Sequence, residues 1–268
     1  MGITLYKNAD WILTVNEKRE KFRHGDLLIS GKEILDVGND LEKKYAGKLQ
    51  IDKTIDAKGT VILPGFVNIH HHTWQSLIRN IQATRGLKLE PWLTVMYEIY
   101  KDLNTDVARA GVYSGLGDML KTGCTTSNDL WYPHPVGVKY LVDAEIQAAA
   151  EIGIRFHPTR GFHSVPSDIV PPEVVDTKES VTEDTIRLVK KYHDRSRFSM
   201  CQVGIAPSIA QYETEDIIEA VVDLAEEYDI MVHGHLAESQ HEVEYTLKTW
   251  GCRPFEWFKR HRLLGKRF

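Results

Sequence analysis

The sequence predicts an α/β fold in which a small β-rich region precedes a parallel sheet covered by helices. Residues 3 to about 60 consist of short strand-like runs separated by Gly, Asn and Asp. From about residue 61 onward, apolar runs of strand length alternate with longer stretches of helical periodicity. Such alternation is typical of strand–helix units in a parallel sheet. We therefore predict two domains, residues 1–60 and residues 61–268.

The first region contains three runs with strand character, namely ITLYKN, DWILTVN and GDLLISGKEILDVG. Apolar and polar residues alternate within these runs, and turn-forming residues separate them. We expect a small antiparallel sheet or half of a β-sandwich.

The second region contains five strand–helix units. We predict strands at VILPGFVNIHHH, CTTSNDLW, IRFHPTRG, CQVGIAP and IMVHGHLAE. Helices are predicted near residues 74–83, 88–103, 105–122, 137–152, 181–193, 214–228 and 240–249. The long Pro-rich stretch at 162–180 is predicted to be either a lid or a disordered loop. Because a closed parallel barrel needs about eight strands, five units predict either an open sheet or part of a longer chain.

The composition argues against several classes of partner. The 268 residues carry a formal net charge of −5, which does not suit a nucleic-acid surface. No apolar stretch reaches the roughly 18 residues of a membrane span, and the first residues lack the build of a signal peptide. The few, widely spaced cysteines favour reduced thiols. We expect a cytoplasmic protein without nucleic-acid or membrane partners.

Two histidine clusters stand at the ends of predicted strands. Residues two apart on a strand face the same side, so His70 and His72 can bind one ion while His71 points towards the covering helices. In VHGHLAES, His235 is a candidate third ligand and Glu238 follows it closely. Three histidines with a nearby carboxylate match a hydrolytic metal site. His233 shares the face of His235, and we interpret it as a packed histidine beside the site.

The combination of PGFVNIHHH with HGHLAES, after a small β-region, resembles the amidohydrolase superfamily. Within it, HHHTWQSLIRNIQATRGLKLEPWLTVMYEIY and GIRFHPTRG are similar to the branch acting on purines, pterins and triazines, in particular to 8-oxoguanine deaminases. The resemblance implies an incomplete TIM (β/α)8-type barrel with about five βα units, preceded by a small β-sandwich-like region. The family's remaining barrel strands, a further histidine and an aspartate ligand would lie beyond Phe268. We therefore expect an N-terminal part with little activity by itself.

The resemblance also implies roles for particular residues. His70, His72 and His235 become ligands of one divalent metal, which we expect to be zinc, with iron as the alternative. Glu238 becomes the proton-transfer residue, and Gln75 a substrate-pocket residue. We add Arg160 as a partner for a ring carbonyl because its guanidinium offers fixed donors; a surface salt bridge is the equal alternative. Trp74 and Trp131 could stack on a flat ring, but apolar packing is favoured.

The implied reaction is the metal-dependent hydrolytic deamination of an amino-substituted heterocycle, an 8-oxoguanine-like or guanine-like purine or a pterin, with release of ammonia. Water activated at the metal would attack the ring carbon while Glu238 protonates the adjacent ring nitrogen. Two alternatives stay open. One is a triazine chlorohydrolase or alkylaminohydrolase, and the other is a non-catalytic metal-binding or scaffold protein. A homodimer is a further expectation.

Overall fold

The structure is a computed structural model that describes residues 2–268. The chain divides into two compact units, Met1–Gly65 and Phe66–Phe268. This division lies slightly beyond residue 60 because Val61–Ile62 still pairs with a strand of the first unit. No helix among the described residues is both long and apolar enough to cross a membrane.

The first unit is a five-stranded mixed sheet with one short helix. Its elements are β1 (Ile3–Leu13), β2 (Lys21–Ser30), β3 (Glu33–Gly38), α1 (Leu41–Tyr45), β4 (Lys53–Asp56) and β5 (Val61–Ile62). The strands β1, β2 and β3 are antiparallel neighbours, as predicted. In contrast, β4 and β5 both pair with β1 in parallel. After α1 the chain runs beside β1 in the same direction, so a purely antiparallel sheet was the wrong expectation.

The core of the first unit is small, and it is organised around one buried acid. Leu5, Leu28 and Leu41 form an apolar cluster. Beside it, the buried carboxylate of Asp26 accepts hydrogen bonds from the main-chain N–H groups of Asn8 and Leu41, each at 3.0 Å. Asn8 interrupts the β1–β2 register with a positive φ of 61°, and Leu41 begins α1. One side chain thus satisfies two main-chain donors that lack a strand or helix partner.

The second unit is a parallel four-stranded sheet with its helices in the connections. The strands follow the order β6 (Phe66–Asn68), β7 (Cys124–Trp131), β8 (Arg155–Phe162) and β9 (Gly204–Pro207). The helices are α2 (Leu89–Tyr100), α3 (Thr105–Lys121), α4 (Leu141–Ile152), α5 (Lys178–Tyr192), α6 (Glu215–Tyr228), α7 (Gln240–Trp250) and α8 (Pro254–Arg260). Short 3-10 helices occupy Thr73–Leu77, Gln82–Thr84, Pro172–Val174 and Ala210–Tyr212.

Two predicted strands differ from the observed ones. The run at 61–72 is divided, because β5 pairs with β1 whereas β6 pairs with β7. The run at 230–238 is reduced to a parallel bridge between Val232 and Ile205. The main chain nevertheless continues along β9, since the N–H of His235 donates to the carbonyl of Ser208 at 2.9 Å. The fifth segment therefore lies where a fifth barrel strand would lie.

The loop predicted as a lid or a disordered segment is packed against the second unit. Val170 and Val174 are fully buried, and the N–H groups of Ser164 and Val165 donate to the carbonyl of Tyr212. A lid function for this loop stays a prediction.

The segment that follows the three histidines is held by α3. A Cβ atom at Gly111 of α3 would lie 2.9 Å from the main-chain N and Cα of Trp74, so glycine permits this close approach. Trp74 and Trp131 are fully buried, with ring centroids 4.5 Å apart. These two tryptophans pack in the core, as the favoured interpretation predicted.

Candidate metal centre and ligand cavity

Three predicted histidines meet at one place in the second unit. His70 and His72 follow β6, and His235 follows the bridged segment at Val232. One ring nitrogen from each of the three lies within 4.8 Å of the others. Their ring centroids are separated by 5.2–5.4 Å. The arrangement brings three imidazoles close enough to share one cation.

Main-chain carbonyls fix the orientation of two of these rings. The Nδ1 of His72 lies 2.8 Å from the carbonyl oxygen of Leu130, and the Nδ1 of His235 lies 3.0 Å from that of Ser208. A neutral imidazole bonded in this way carries its hydrogen on Nδ1 and leaves the Nε2 lone pair free. Such a bond is typical of metal-ligating histidines. The donor set therefore fits a divalent cation.

Burial favours the neutral form that binds metal. Burial, together with the neighbouring His235, holds the pKa of His72 well below its usual value. Burial also lowers the pKa of His235, although Glu238 opposes this shift. Because only unprotonated imidazole ligates a metal, both rings are available near neutral pH.

The two neighbouring histidines lie outside the ligand cluster, as predicted. His71 faces α3, where a Cβ atom on Gly115 would lie 3.1 Å from its Cε1. His233 contacts the side-chain amide of Asn128 through Nδ1, and burial lowers the pKa of His233 to about 4. We conclude that His71 and His233 pack beside the site.

The three clustered histidines line a cavity of about 330 Å³. This volume suits a small ligand. Aromatic side chains form much of the wall, and the lining residues of interest are His70, His72, Gln75, Tyr97, Tyr132, His163, His235 and Glu238. The cavity thus combines flat apolar surfaces with a few polar groups, a composition that suits a planar heterocycle.

Glu238 is placed in this cavity by the turn that leads into α7. Its main-chain N–H donates to the carboxylate of Glu242 at 2.8 Å. Ser239 caps the helix by accepting from the N–H of Glu242 at 3.2 Å. These two bonds fix the main chain at Glu238, while its side chain stays exposed to the cavity.

Comparison with known proteins identifies the family of this site. The sequence model described as the amidohydrolase family matches residues 61–261, which include all three clustered histidines and Glu238. The chain belongs to the amidohydrolase family.

Several curated relatives carry different substrate names. The chain is 31% identical over 215 residues to an 8-oxoguanine deaminase of Pseudomonas aeruginosa, covering 79% of this chain and 48% of that protein. It is 27% identical over 275 residues to a hydroxydechloroatrazine ethylaminohydrolase of a Pseudomonas species, covering 99% and 57%. A 5-methylthioadenosine/S-adenosylhomocysteine deaminase of Bacillus cereus is 31% identical over 255 residues, covering 95% and 54%. The chain spans about half the length of these relatives.

Solved structures share the fold. A triazine hydrolase variant superposes with a TM-score of 0.90 at 23% identity, covering 100% of this chain and 59% of that one. A guanine deaminase of C. acetobutylicum, solved with guanine in its active site, gives a TM-score of 0.83 at 20% identity, covering 99% and 61%. The prediction of an incomplete amidohydrolase barrel is confirmed.

Gln75 of this amidohydrolase lines the cavity from the 3-10 helix Thr73–Leu77. Its side-chain amide nitrogen lies 3.1 Å from the hydroxyl of Tyr100 and 3.2 Å from that of Tyr132. Both amide hydrogens are therefore used inside the protein, and the amide is held in one orientation. The structure thus brings Gln75 together with the histidines and Glu238.

Arg160 does not lie in the cavity. It is 2% exposed, and its guanidinium contacts Asp176 at 2.8 Å and Asp184, on α5, at 3.0 Å. Alternation along β8 explains this position: Arg160 faces the helices, whereas Thr159, Gly161 and, just after the strand, His163 take the opposite parity. The guanidinium is therefore paired with two carboxylates rather than directed at a ligand.

Sequence reasoning did not identify Tyr97, Tyr132 and His163, which all line the cavity. His163 could have been found by extending the parity of Thr159 and Gly161 one residue past the end of β8. Tyr97 lies within a helix, and no local sequence signal distinguishes it from the buried aromatic residues Tyr100 and Trp74.

A pair of buried acids lies beneath the histidine segment. The main-chain N–H of Thr73 donates to Asp129 at 2.6 Å, and the Thr73 hydroxyl makes a short hydrogen bond with Glu145. Burial raises the pKa of both Asp129 and Glu145. The two acids anchor the residue directly after His72, which fixes the main chain at the end of the histidine segment.

Proposed function

We propose that this protein removes an amino group from a heterocycle by hydrolysis and releases ammonia. The proposed substrates are guanine-like or 8-oxoguanine-like purines and pterins. One observation carries the proposal: three imidazole nitrogens within 4.8 Å of one another line an aromatic cavity that also holds Glu238 and Gln75. The deaminases among the relatives support the same reaction class.

The three histidines are the proposed ligands of one divalent metal. We propose zinc, which is present in a solved atrazine chlorohydrolase of Arthrobacter aurescens that shares the fold, and iron is the alternative for imidazole ligands. A divalent cation would supply the Lewis acidity that makes water a nucleophile near neutral pH.

The protein's own side chains have separate tasks in this proposal. Glu238 accepts a proton from the attacking water and passes it to the ring nitrogen beside the reacting carbon. Gln75, held by two tyrosine hydroxyls, orients the ring through its carbonyl oxygen. The aromatic walls exclude bulk water, which strengthens these polar contacts. Glu238 then moves the remaining proton of the added hydroxyl to the amino group, so that ammonia leaves as the ring carbonyl forms.

Because the chain spans about half the length of its relatives, ammonia release is assayed on the whole zinc-loaded protein. Guanine, 8-oxoguanine, a pterin and a chlorinated triazine should be supplied in parallel, and ammonia is expected from purines or pterin. Glu238→Gln should lower turnover at least about 100-fold. Glu244→Gln, an exposed acid on α7, is the matched control and should leave turnover unchanged. Unaltered turnover in Glu238→Gln would refute the assigned role.

The second candidate is hydrolysis of a triazine, with chloride or an alkylamine as the leaving group. The likeness to hydroxydechloroatrazine ethylaminohydrolase over 99% of the chain favours it. Release of chloride or alkylamine from triazines, with no ammonia from purines or pterins, would replace the first proposal by this one.

Metal analysis separates both enzymatic candidates from a scaffold protein. His72→Ala should lose bound zinc when the purified protein is analysed by mass spectrometry. His24→Asn is the control, since His24 is exposed in the first unit and asparagine tolerates its positive φ of 51°. Equal zinc content in both variants would refute the proposed metal site. Zinc binding without any turnover would favour the scaffold alternative.

We also propose that the protein is cytoplasmic. Its three cysteines are unpaired and at least partly buried, which suits a reducing compartment. The expected homodimer stays a prediction, which sedimentation of the purified protein would test.

A further inference from the structure

Three buried side chains form a chain of polar contacts that ends at the cavity. Tyr97 on α2, His163 just after β8 and Glu213 before α6 are 1%, 1% and 3% exposed. The Tyr97 hydroxyl makes a short hydrogen bond with Nε2 of His163. On the other side of the ring, Nδ1 of His163 lies 3.6 Å from Oε1 of Glu213. Tyr97 and His163 line the cavity, whereas Glu213 lies behind them.

The two facing atoms of His163 and Glu213 have no other partner. Neither Nδ1 of His163 nor Oε1 of Glu213 forms a hydrogen bond within the part of the chain that the structure describes. The second carboxyl oxygen of Glu213 accepts from the hydroxyl of Ser164 at 2.9 Å. Buried polar groups are normally paired. We therefore interpret these two facing atoms as the inner end of a row of polar groups that runs from Glu213 through His163 to Tyr97.

The ring of His163 is held in place by aromatic neighbours. Tyr132 and Tyr212 both meet it edge-on, with ring centroids 5.3 Å away. The imidazole therefore keeps one nitrogen towards Glu213 and the other towards Tyr97. This geometry orients the Tyr97 hydroxyl as well.

The hydrogens along this chain can be assigned. Burial raises the pKa of Glu213 well above its usual value and lowers the pKa of His163 to about 3, so burial favours the neutral form of both groups. Nδ1 of His163 then faces the carboxyl group of Glu213 across 3.6 Å, and the Nε2 hydrogen of His163 is available to donate to the oxygen of Tyr97. The hydrogen of the Tyr97 hydroxyl is left for an acceptor in the cavity.

We propose that Tyr97, oriented by His163 and Glu213, donates a hydrogen bond to a ring carbonyl of the ligand and thereby selects oxo-substituted heterocycles. This inference rests on the proposed function, because it names the substrate class of the same cavity. A carbonyl oxygen extends about 1.2 Å beyond the ring and can reach a hydroxyl set in the wall. A ring carbon that bears only hydrogen leaves that donor unpaired, and an unpaired buried donor weakens binding.

The test compares two purines that differ at one position. Guanine carries a carbonyl where 2-aminopurine carries hydrogen, and the fluorescence of 2-aminopurine reports its binding and its displacement by guanine. In the zinc-loaded protein, guanine should bind about ten-fold more tightly. In Tyr97→Phe the two affinities should differ by less than about two-fold. Tyr192→Phe is the matched control, because its hydroxyl bonds Asp143 away from the cavity, and it should keep the ten-fold ratio.

Variants of His163 separate orientation from mere packing. Glutamine can accept from Glu213 and donate to Tyr97, so His163→Gln should keep part of the preference for guanine. His163→Leu should lose it. An equal loss of affinity for both purines in Tyr97→Phe would assign Tyr97 a structural role and overturn the inference. A wild-type protein that binds the two purines equally, or binds neither, would also overturn it.

Ammonia release, measured on the same samples, tells this inference apart from the proposed function. Preference for guanine without turnover would refute the proposed function and leave the role of Tyr97 intact. Turnover without a preference for guanine would refute the role of Tyr97 and leave the proposed function intact.

Discussion

The two units of the chain use buried polar groups in different ways. Among the described residues of the first unit, Asp26 is the one buried polar side chain, and it serves main-chain donors. The second unit buries many polar side chains, and they form ion pairs at Arg160, an acid pair beneath Thr73 and the polar contacts of the cavity. A buried side chain that only pairs main-chain N–H groups is typical of a structural scaffold. Directed side-chain networks are typical of functional sites.

The largest expected effect comes from removing a buried charge in the second unit. Arg160→Ala leaves Asp176, whose side chain is 7% exposed, without its cation. We expect the free energy of unfolding to fall by about 3–5 kcal/mol. Arg262→Ala is the control, because its ion pair with Asp223 is exposed, and it should cost less than about 1 kcal/mol. Similar losses in a urea titration of both variants would contradict the distinction.

The first unit should respond to loss of its buried acid by a smaller amount. Asp26→Ala leaves the N–H groups of Asn8 and Leu41 unpaired, and we expect a loss of about 2 kcal/mol. Amide hydrogen exchange at these two residues should accelerate, while zinc content stays unchanged. Asp10→Ala is the control, since Asp10 accepts from the N–H of Gly59 at an exposed position. Exchange that is unaffected in Asp26→Ala would show that the carboxylate does not hold these amides.

Buried histidines should make the second unit sensitive to acid. Burial lowers the pKa of His134 to about 3, below its value of about 6.5 in an unfolded chain. The unfolded state therefore binds more protons between these values, so the free energy of unfolding falls as pH drops from about 6.5 towards 3, by at most ~1.4 kcal/mol per pH unit from this residue. His134→Gln should flatten the curve measured by urea unfolding between pH 7 and 4. The control His24→Asn, at an exposed position, should not flatten it. Equal slopes in the wild-type protein and His134→Gln would show that His134 does not cause the acid sensitivity.

Substitutions at helix caps should give the smallest difference between the two units in the free energy of unfolding. Asn104 caps α3 by accepting from the N–H groups of Asp106 and Val107, so Asn104→Ala should cost about 1 kcal/mol. Asp40, at the start of α1, makes no side-chain cap bond, and Asp40→Asn should cost less than about 0.5 kcal/mol. Thermal unfolding of the two variants, with Asn104→Ser as a variant that keeps the cap, checks the expected order.

Local signals explain most of what the sequence predicted correctly. The histidines at 70, 72 and 235 lie together because each ends a strand or strand-like segment of one parallel sheet, and carboxyl ends of parallel strands meet at one edge. The helix predicted near residues 105–122 agrees with α3, Thr105–Lys121. Neither prediction needed knowledge of distant contacts.

The errors arose where distant contacts decide the outcome. Arg160 was assigned by its nearness to the end of β8, but parity along the strand directs it to Asp176 and Asp184. Parallel pairing of β4 and β5 with β1 depends on how the chain returns after α1, which periodicity does not encode. Tyr97 reaches the cavity only because α2 packs beside His163.

The carbonyl contacts of His72 and His235 affect how the protein can take up a cation. Folding has already selected one tautomer and one ring orientation for each of these imidazoles. An arriving ion therefore immobilises few additional torsions at these two ligands, and little rotational freedom is lost at the moment of capture. Main-chain atoms from two separate segments, at Leu130 and Ser208, would thus contribute to the affinity of the proposed metal site without touching the metal.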